Sequence, residues 1–159
     1  MIIGKNLHKS YVGAHTIIEN ADFKILPNTK IGIVGRNGCG KSTLLKMIVG
    51  IETFDSGSLD RTGERIGYVP QEFTFDAEIV GELLEKCLEN TWESYKIDTL
   101  VAQTEFNNYD PYQDITTLSL GQKMKLKVIE TMLKEPTILL IDEPTNHLDI
   151  EGIMWFENY

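Results

Sequence analysis

The hydrophobic positions of this chain change their period several times, and each change predicts an element. Over residues 1–26 apolar and polar positions alternate, which predicts strands at 1–3, 7–12 and 16–26 with Gly13 turning between the last two. Residues 30–34, Lys-Ile-Gly-Ile-Val, read as a buried strand, and residues 42–49 read as a helix closed by Gly50. After a turn at 55–57 come a short strand at 58–59 and another over 65–69, ended by Pro70. Residues 77–106 read as helical: Ile79, Val80, Leu83, Leu84, Cys87 and Leu88 recur at helical spacing behind Asp76 as a candidate cap, and Ile97, Leu100 and Val101 form a second, shorter stripe. A loop follows over 107–111. A further helix opens at 118–123 with Ser119 as its cap and runs to about Glu135, burying Met124, Val128, Ile129, Met132 and Leu133 and turning Lys123, Lys125 and Lys127 to solvent. The all-apolar run 138–141 suits a central parallel strand covered on both faces. Strands that give way to helices in this order predict an α/β fold.

Two of the junctions carry chemistry. Gly35-Arg36-Asn37-Gly38-Cys39-Gly40-Lys41-Ser42 matches G-x-x-x-x-G-K-[ST], a phosphate-binding loop. The glycines let the backbone curl until successive N–H groups point inward at phosphate oxygens. Lys41 supplies a compact positive charge, and the Ser42 hydroxyl is a ligand for Mg²⁺. A helix that starts here aims its positive end at the anion. The second junction is Asp142-Glu143, at the carboxyl end of the last apolar run, where open α/β sheets bind ligands. There Asp142 can hold Mg²⁺ through water and Glu143 can polarise an attacking water. Gln71, just past the strand at 65–69, is placed to reach Mg²⁺ or water in the same site. Tyr11, before a turn, is either packing filler or a platform for a base.

Composition narrows the classes. The chain has 159 residues, 42% of them hydrophobic, which suffices for one domain with a real core. A net charge of −9 argues against a broad nucleic-acid surface on this segment. The two cysteines, Cys39 and Cys87, lie far apart, show no metal-ligand spacing and suggest no disulfide. No long apolar run and no basic-then-apolar leader is present, so a cytoplasmic location is expected.

The order of these motifs, with Leu118-Ser119-Leu120-Gly121-Gln122 between the glutamine and the acids, resembles the ATP-binding cassette (ABC) ATPases over essentially the whole chain. The resemblance implies a P-loop NTPase fold of ABC type: an N-terminal antiparallel β subdomain, a parallel core sheet and a small helical subdomain. Residues 1–72 and 136–159 would form the ATP-binding core of a single nucleotide-binding domain, and 73–135 the helical lobe. It implies ATP and Mg²⁺ as ligands. Tyr11 matches the aromatic that stacks on adenine. Gly35, Arg36, Asn37, Gly38, Cys39, Gly40, Lys41, Ser42 and Thr43 match the Walker A loop. Gln71 matches the Q-loop, and Ser119, Gly121 and Gln122 the signature motif. Asp142 matches the Walker B aspartate, Glu143 the catalytic glutamate, and Leu148-Asp149 the D-loop. The family's pattern implies Lys41, Gln71 and Glu143 as the catalytic set and Ser42, Gln71 and Asp142 as the metal set.

The string Glu143-Pro-Thr-Asn-His-Leu-Asp149 is most similar to the F subfamily, the paired-cassette proteins that act on ribosomes, in which His147 is not the switch histidine. Two departures stand out. Leu120 occupies the first of the signature's two glycine positions, where a side chain would crowd the approach to a partner's γ-phosphate. The chain also stops before the strand that precedes the family's switch histidine, so a C-terminally incomplete cassette is expected. In the family two cassettes pair head to tail, each ATP lying between the Walker motifs of one and the signature of the other. The resemblance therefore implies a second cassette as partner, with ribosome and tRNA if the chain is F-type, or a membrane permease if it is a transporter subunit. A non-hydrolytic regulatory cassette is the third alternative.

Overall fold

The computed structural model describes residues 1–11, 16–106 and 109–144. The chain divides into two compact units, Met1–Ile66 and Gly67–Tyr159.

In the first unit, strands β1 (Ile2–Ser10), β2 (Thr16–Ile25) and β3 (Ser56–Asp60) form an antiparallel sheet in the order β2-β1-β3. The two short strands expected before Gly13 are one strand with a bulge. Asn6 turns to φ 48, its N–H bonds Asp22 Oδ1 at 2.6 Å, and the register slips between Gly4 and Leu7. The extra residue restores the inward phase, so Ile2 and Leu7, five positions apart, are both fully buried. Gly57 on β3 fits against this bulge at φ 102, and a Cβ there would stand 2.4 Å from the Asn6 carbonyl oxygen. Gly57→Ala is accordingly expected to destabilise the fold by roughly 2–3 kcal/mol, read from the urea midpoint. A loss below about 0.5 kcal/mol would contradict this packing.

Helix α1 (Lys41–Val49) lies on the same sheet, where Met47 and Leu44 pack with Leu7, Ile18 and Phe23. Both its ends are fixed. Gly40 (φ 99) precedes it so closely against β2 that a Cβ would meet the Ile17 side chain at 2.6 Å. Gly50 (φ 94) closes it by donating to Lys46 O and Met47 O, and Arg61 Nη1 donates to Ile48 O at 2.8 Å. A cation on the last carbonyls complements the negative end of the helix.

The strand expected over 30–34 does not form: these residues join neither sheet, and Ile31, Ile33 and Val34 are exposed. An apolar run states a demand for cover, whereas a strand also needs neighbours whose ladders accept its N–H and C=O groups.

The second unit begins within β4 (Ile66–Val69), which pairs with β5 (Ile138–Ile141) in a two-stranded parallel sheet. Only Leu140 of β5 is buried, so the expected double-sided cover is not complete. Leu139 and Ile141 pack with Val69 against Met124 and Val128 of helix α4 (Leu120–Met132). The opposite flank of α4, through Leu126, Ile129 and the following Leu133, faces a lobe built from α2 (Val80–Glu85) and α3 (Tyr95–Gln103).

The long helical stretch expected over 77–106 is thus two short helices joined by a 3₁₀ turn, Thr91–Ser94. Asn90 and Glu93 cap one another there, and that reciprocal bonding starts a new helix where a continuous one would need uninterrupted ladder bonds. Asp76 caps nothing: α2 begins after Ile79, whose backbone bridges to Asp114 and delays the helix. The three lysines assigned to a solvated face are tied down. Lys123 donates to Thr116 O, Lys125 to Glu105 O, and Lys127 pairs with Glu130 at 2.8 Å beside the Phe75 ring. Their apolar stems cover the helix flank while the ammonium groups close off loop carbonyls.

Candidate functional site

The glycine-rich loop of the first unit is a preformed turn. Cys39 N–H donates to Arg36 O at 3.3 Å, and Gly38 (φ 78) and Gly40 take backbone angles that side chains resist. A Cβ on Gly35 would stand 2.7 Å from Cys39 Sγ, so the loop closes tightly on itself. Lys41 folds its side chain back over the turn, its ammonium donating to Gly35 O and Arg36 O at 3.1 Å each. Arg36, Asn37 and Cys39 are exposed, and Ser42 and Thr43 are half-buried on the first turn of α1. The first intrahelical bond runs from Leu44 N to Gly40 O, so the opening amides point out along the axis. Gly40 offers no capping side chain, and no acidic residue stands in the first turn. The helix end presents N–H groups and partial positive charge, and its own first turn supplies no carboxylate.

Tyr11 follows β1 and is 41% exposed. Lys9 Nζ lies 5.0 Å from the centroid of its ring and 2.8 Å from Glu52 Oε1. Ser10 donates from its N–H and its hydroxyl to Asp55 Oδ2 at 2.7 and 2.9 Å. The hydrogen bond from Lys9 holds the Glu52 carboxyl below its ordinary 4.5, and the Ser10 N–H, then its hydroxyl, hold Asp55 below 3.8. A carboxyl depressed by folding stabilises fully above its ordinary value and loses that contribution as pH falls through the folded one. The melting temperature is therefore expected to hold steady down to about pH 5 and to drop below about pH 4. A flat melting profile to about pH 3 would remove these pairs from the stability of the fold.

In the second unit Asp142 ends β5. It is only 3% exposed, and its N–H donates to Val69 O at 2.9 Å. The Tyr68 hydroxyl donates to Asp142 Oδ2 at 3.3 Å. Burial first, then the Asp142 charge and this bond, push Tyr68 up to about 12. Nothing in the sequence pointed to Tyr68, because 74 positions separate it from its acceptor and only the pairing of β4 with β5 joins them. Tyr68→Phe deletes a donor to a buried carboxylate and is expected to cost about 1–2 kcal/mol of stability, seen as a lower denaturation midpoint. An unchanged midpoint would show that the bond contributes nothing.

Glu143 is half-buried and adopts φ 48, a left-handed backbone unusual for a glutamate. Gln71 is exposed in the bend after Pro70, two residues past the Val69 carbonyl that receives Asp142. At the start of α4, Ser119 Oγ accepts from Gln122 N–H, and Gln122 Oε1 accepts from Ser119 N–H at 2.9 Å. The two side chains thus form a capping box, with Gly121 half-buried between them and Leu120 63% exposed. Sequence reading found the serine cap but not its reciprocal glutamine. Leu148, Asp149 and His147 lie outside the described residues.

A family model described as ABC transporter matches residues 18–146. The chain belongs to that family. Among curated proteins this cassette is 35% identical to the ribosome protection protein VmlR of Bacillus subtilis, over 92% of the chain and 26% of that protein. It is 30% identical to the zinc import ATP-binding protein ZnuC of Buchnera aphidicola, over 96% of the chain and 64% of that protein. Its structure superimposes with TM-score 0.84 on that of a putative metal-chelate type ABC transporter in an inward-facing conformation. That match covers 99% of this chain and 65% of that one at 22% identity, and it establishes the mixed α/β fold. The cassette spans about a third or less of the first curated relatives it matches. The family generally binds ATP with Mg²⁺ and hydrolyses it. Among the described residues no helix is long and apolar enough to cross a membrane.

Proposed function

We propose that this chain binds and hydrolyses ATP, as the first nucleotide-binding domain of an F-type, ribosome-associated translation factor. The observation that carries the ATP reading is the loop from Gly35 to Ser42, a curled backbone with a lysine folded over it at the open end of a helix. Two features suit a triphosphate: Gly38 and Gly40 hold the left-handed backbone that curls the loop, and helix α1 opens with no acidic residue in its own first turn. The loop N–H groups and Lys41 hold the phosphates, and Tyr11 stacks the base. Ser42 of the first unit and Asp142 and Gln71 of the second each carry an oxygen donor of the kind Mg²⁺ takes, and on this reading they are the residues that would hold it. When bound, Mg²⁺ neutralises charge on the phosphate oxygens. Glu143 orients water toward the terminal phosphate, and Ser119, Gly121 and Gln122 of one cassette face the nucleotide of another. Hydrolysis on this scheme is a property of paired cassettes.

The string from Glu143 to Asp149 and the identity to a ribosome protection protein support the F-type assignment. The identity to a zinc import ATP-binding protein, more than half of which the chain spans, supports an ATP-binding transporter subunit as the second reading.

Titration of MgATP into the purified chain, followed by calorimetry, tests the first claim. Saturable uptake is expected, and its absence from folded protein would end the nucleotide reading. Phosphate release should be slow and rise more than linearly with protein concentration. Full turnover by a monomer, independent of concentration, would refute the paired mechanism. Cosedimentation of the full gene product with ribosomes, against copurification with a membrane permease, separates the two assignments.

A further inference from the structure

Lys9 is 6% exposed, a degree of burial at which a lysine needs compensation for its charge. The structure supplies it from two sides. The ammonium lies 2.8 Å from Glu52 Oε1 and 5.0 Å from the centroid of the Tyr11 ring. The segment around it is fastened to the chain between α1 and β3. Asp55 N–H donates to His8 O at 2.8 Å, and both donors of Ser10 go to Asp55 Oδ2. Tyr11 is the next residue, and it remains 41% exposed although Ser10 before it is tied down. A lysine so enclosed cannot swing out to meet a phosphate, and the phosphate chemistry above makes no use of it.

We propose that Lys9 is a positioning residue for base recognition: held by Glu52 against one face of the Tyr11 ring, it sets the plane of that ring and leaves the opposite face as the platform for a purine. The proposal rests on the reading of Tyr11 as the base-stacking residue. Two physical effects favour it. An aromatic platform fixed before the ligand arrives loses less conformational freedom on binding. A cation against one face also draws π density toward itself, and the other face then meets an electron-rich purine with less repulsion. Glu52 keeps the ammonium in place, and the hydrogen bond between them raises Lys9 above its ordinary value, so the charge persists at neutral pH.

The test compares MgATP with inorganic tripolyphosphate in the presence of Mg²⁺, titrated calorimetrically into the unmodified chain and into Lys9→Met, Lys9→Arg, Tyr11→Ala and the Lys9→Met/Tyr11→Ala double variant. Both ligands engage the glycine-rich loop and only one carries a base, so the ratio of their affinities isolates base recognition from general damage to the fold. Lys9→Met is expected to weaken ATP about fivefold to tenfold while tripolyphosphate stays within about twofold. Lys9→Arg restores most of the ratio. Tyr11→Ala weakens ATP at least as much as Lys9→Met does, and adding Lys9→Met to it changes nothing further.

A Lys9→Met chain that loses both ligands equally, or keeps the unmodified ratio, overturns the proposal. So does a full additional loss in the double variant. An unchanged ratio in Tyr11→Ala removes the base platform itself, and the role of Lys9 with it. Failure of the unmodified chain to bind either ligand marks instead the failure of the nucleotide reading, on which the proposal also falls. Should Lys9→Met not fold, Glu52→Gln carries the test. It weakens the hold of Glu52 on the ammonium and on the Tyr11 side chain together, at nearly constant shape. The ATP ratio is expected to fall in the same direction, and an unchanged ratio there overturns the proposal.

Discussion

Lys41→Ala is expected to weaken MgATP binding about a hundredfold while leaving the melting temperature within a few degrees of the unmodified chain. The two halves of this expectation have separate grounds. In the structure the ammonium bonds the carbonyls of Gly35 and Arg36, both exposed residues, so water can replace it there at small cost. On the proposed reading the same group would face phosphate oxygens once nucleotide is bound, where a charge-assisted bond is stronger than the carbonyl bonds it gives up. Lys41→Arg should not rescue binding, because a planar fork cannot sit over a turn shaped for a compact point charge. Calorimetry of the three proteins with MgATP decides the matter. Retention of the original affinity by Lys41→Ala would mean that the loop holds something other than phosphate.

Glu143→Gln is expected to lower phosphate release from paired cassettes by about a hundredfold to a ten-thousandfold, with MgATP affinity changed by less than about threefold. The amide keeps the shape of the side chain and loses its ability to take a proton from water. The backbone adds a second readout. At φ 48 a glutamate is strained, and Glu143→Gly should relieve about 1 kcal/mol of that strain, raising stability while also abolishing release. A gain in stability coupled to a loss of turnover would identify this position as one held in an unfavourable conformation for the sake of its carboxylate. Turnover by Glu143→Gln equal to that of the parent would deny Glu143 the role of orienting water. Absence of phosphate release from both proteins would favour the regulatory, non-hydrolytic reading.

How far the sequence foretold this molecule depended on whether the deciding contact was local. Helix α1 begins and ends where its glycines require, and α4 starts at the serine that caps it, because a cap acts within three or four residues. Residues 30–34 form an apolar run that reads as a strand, but whether such a run pairs depends on distant chain. The break between α2 and α3 is hidden in the sequence because the stripe of Ile79 to Leu88 and that of Ile97 to Val101 share a helical period, while the interruption comes from one reciprocal cap between Asn90 and Glu93. In the candidate site, the glycine-rich loop and the acids after β5 could be named from the motifs. Tyr68, Lys9 and Glu52 could not. Each acts on a neighbour supplied by strand pairing or by a loop tens of residues away, and no spacing encodes that.

The fastening of α1 at both ends has a kinetic consequence. Its start is wedged on Ile17 and its finish is pinned by Arg61, so the rod has little room to slide or tilt when an anion reaches its mouth. Capture should then proceed as docking into a rigid socket, with an association rate set by diffusion and charge and little ordering of the helix left to be done on arrival.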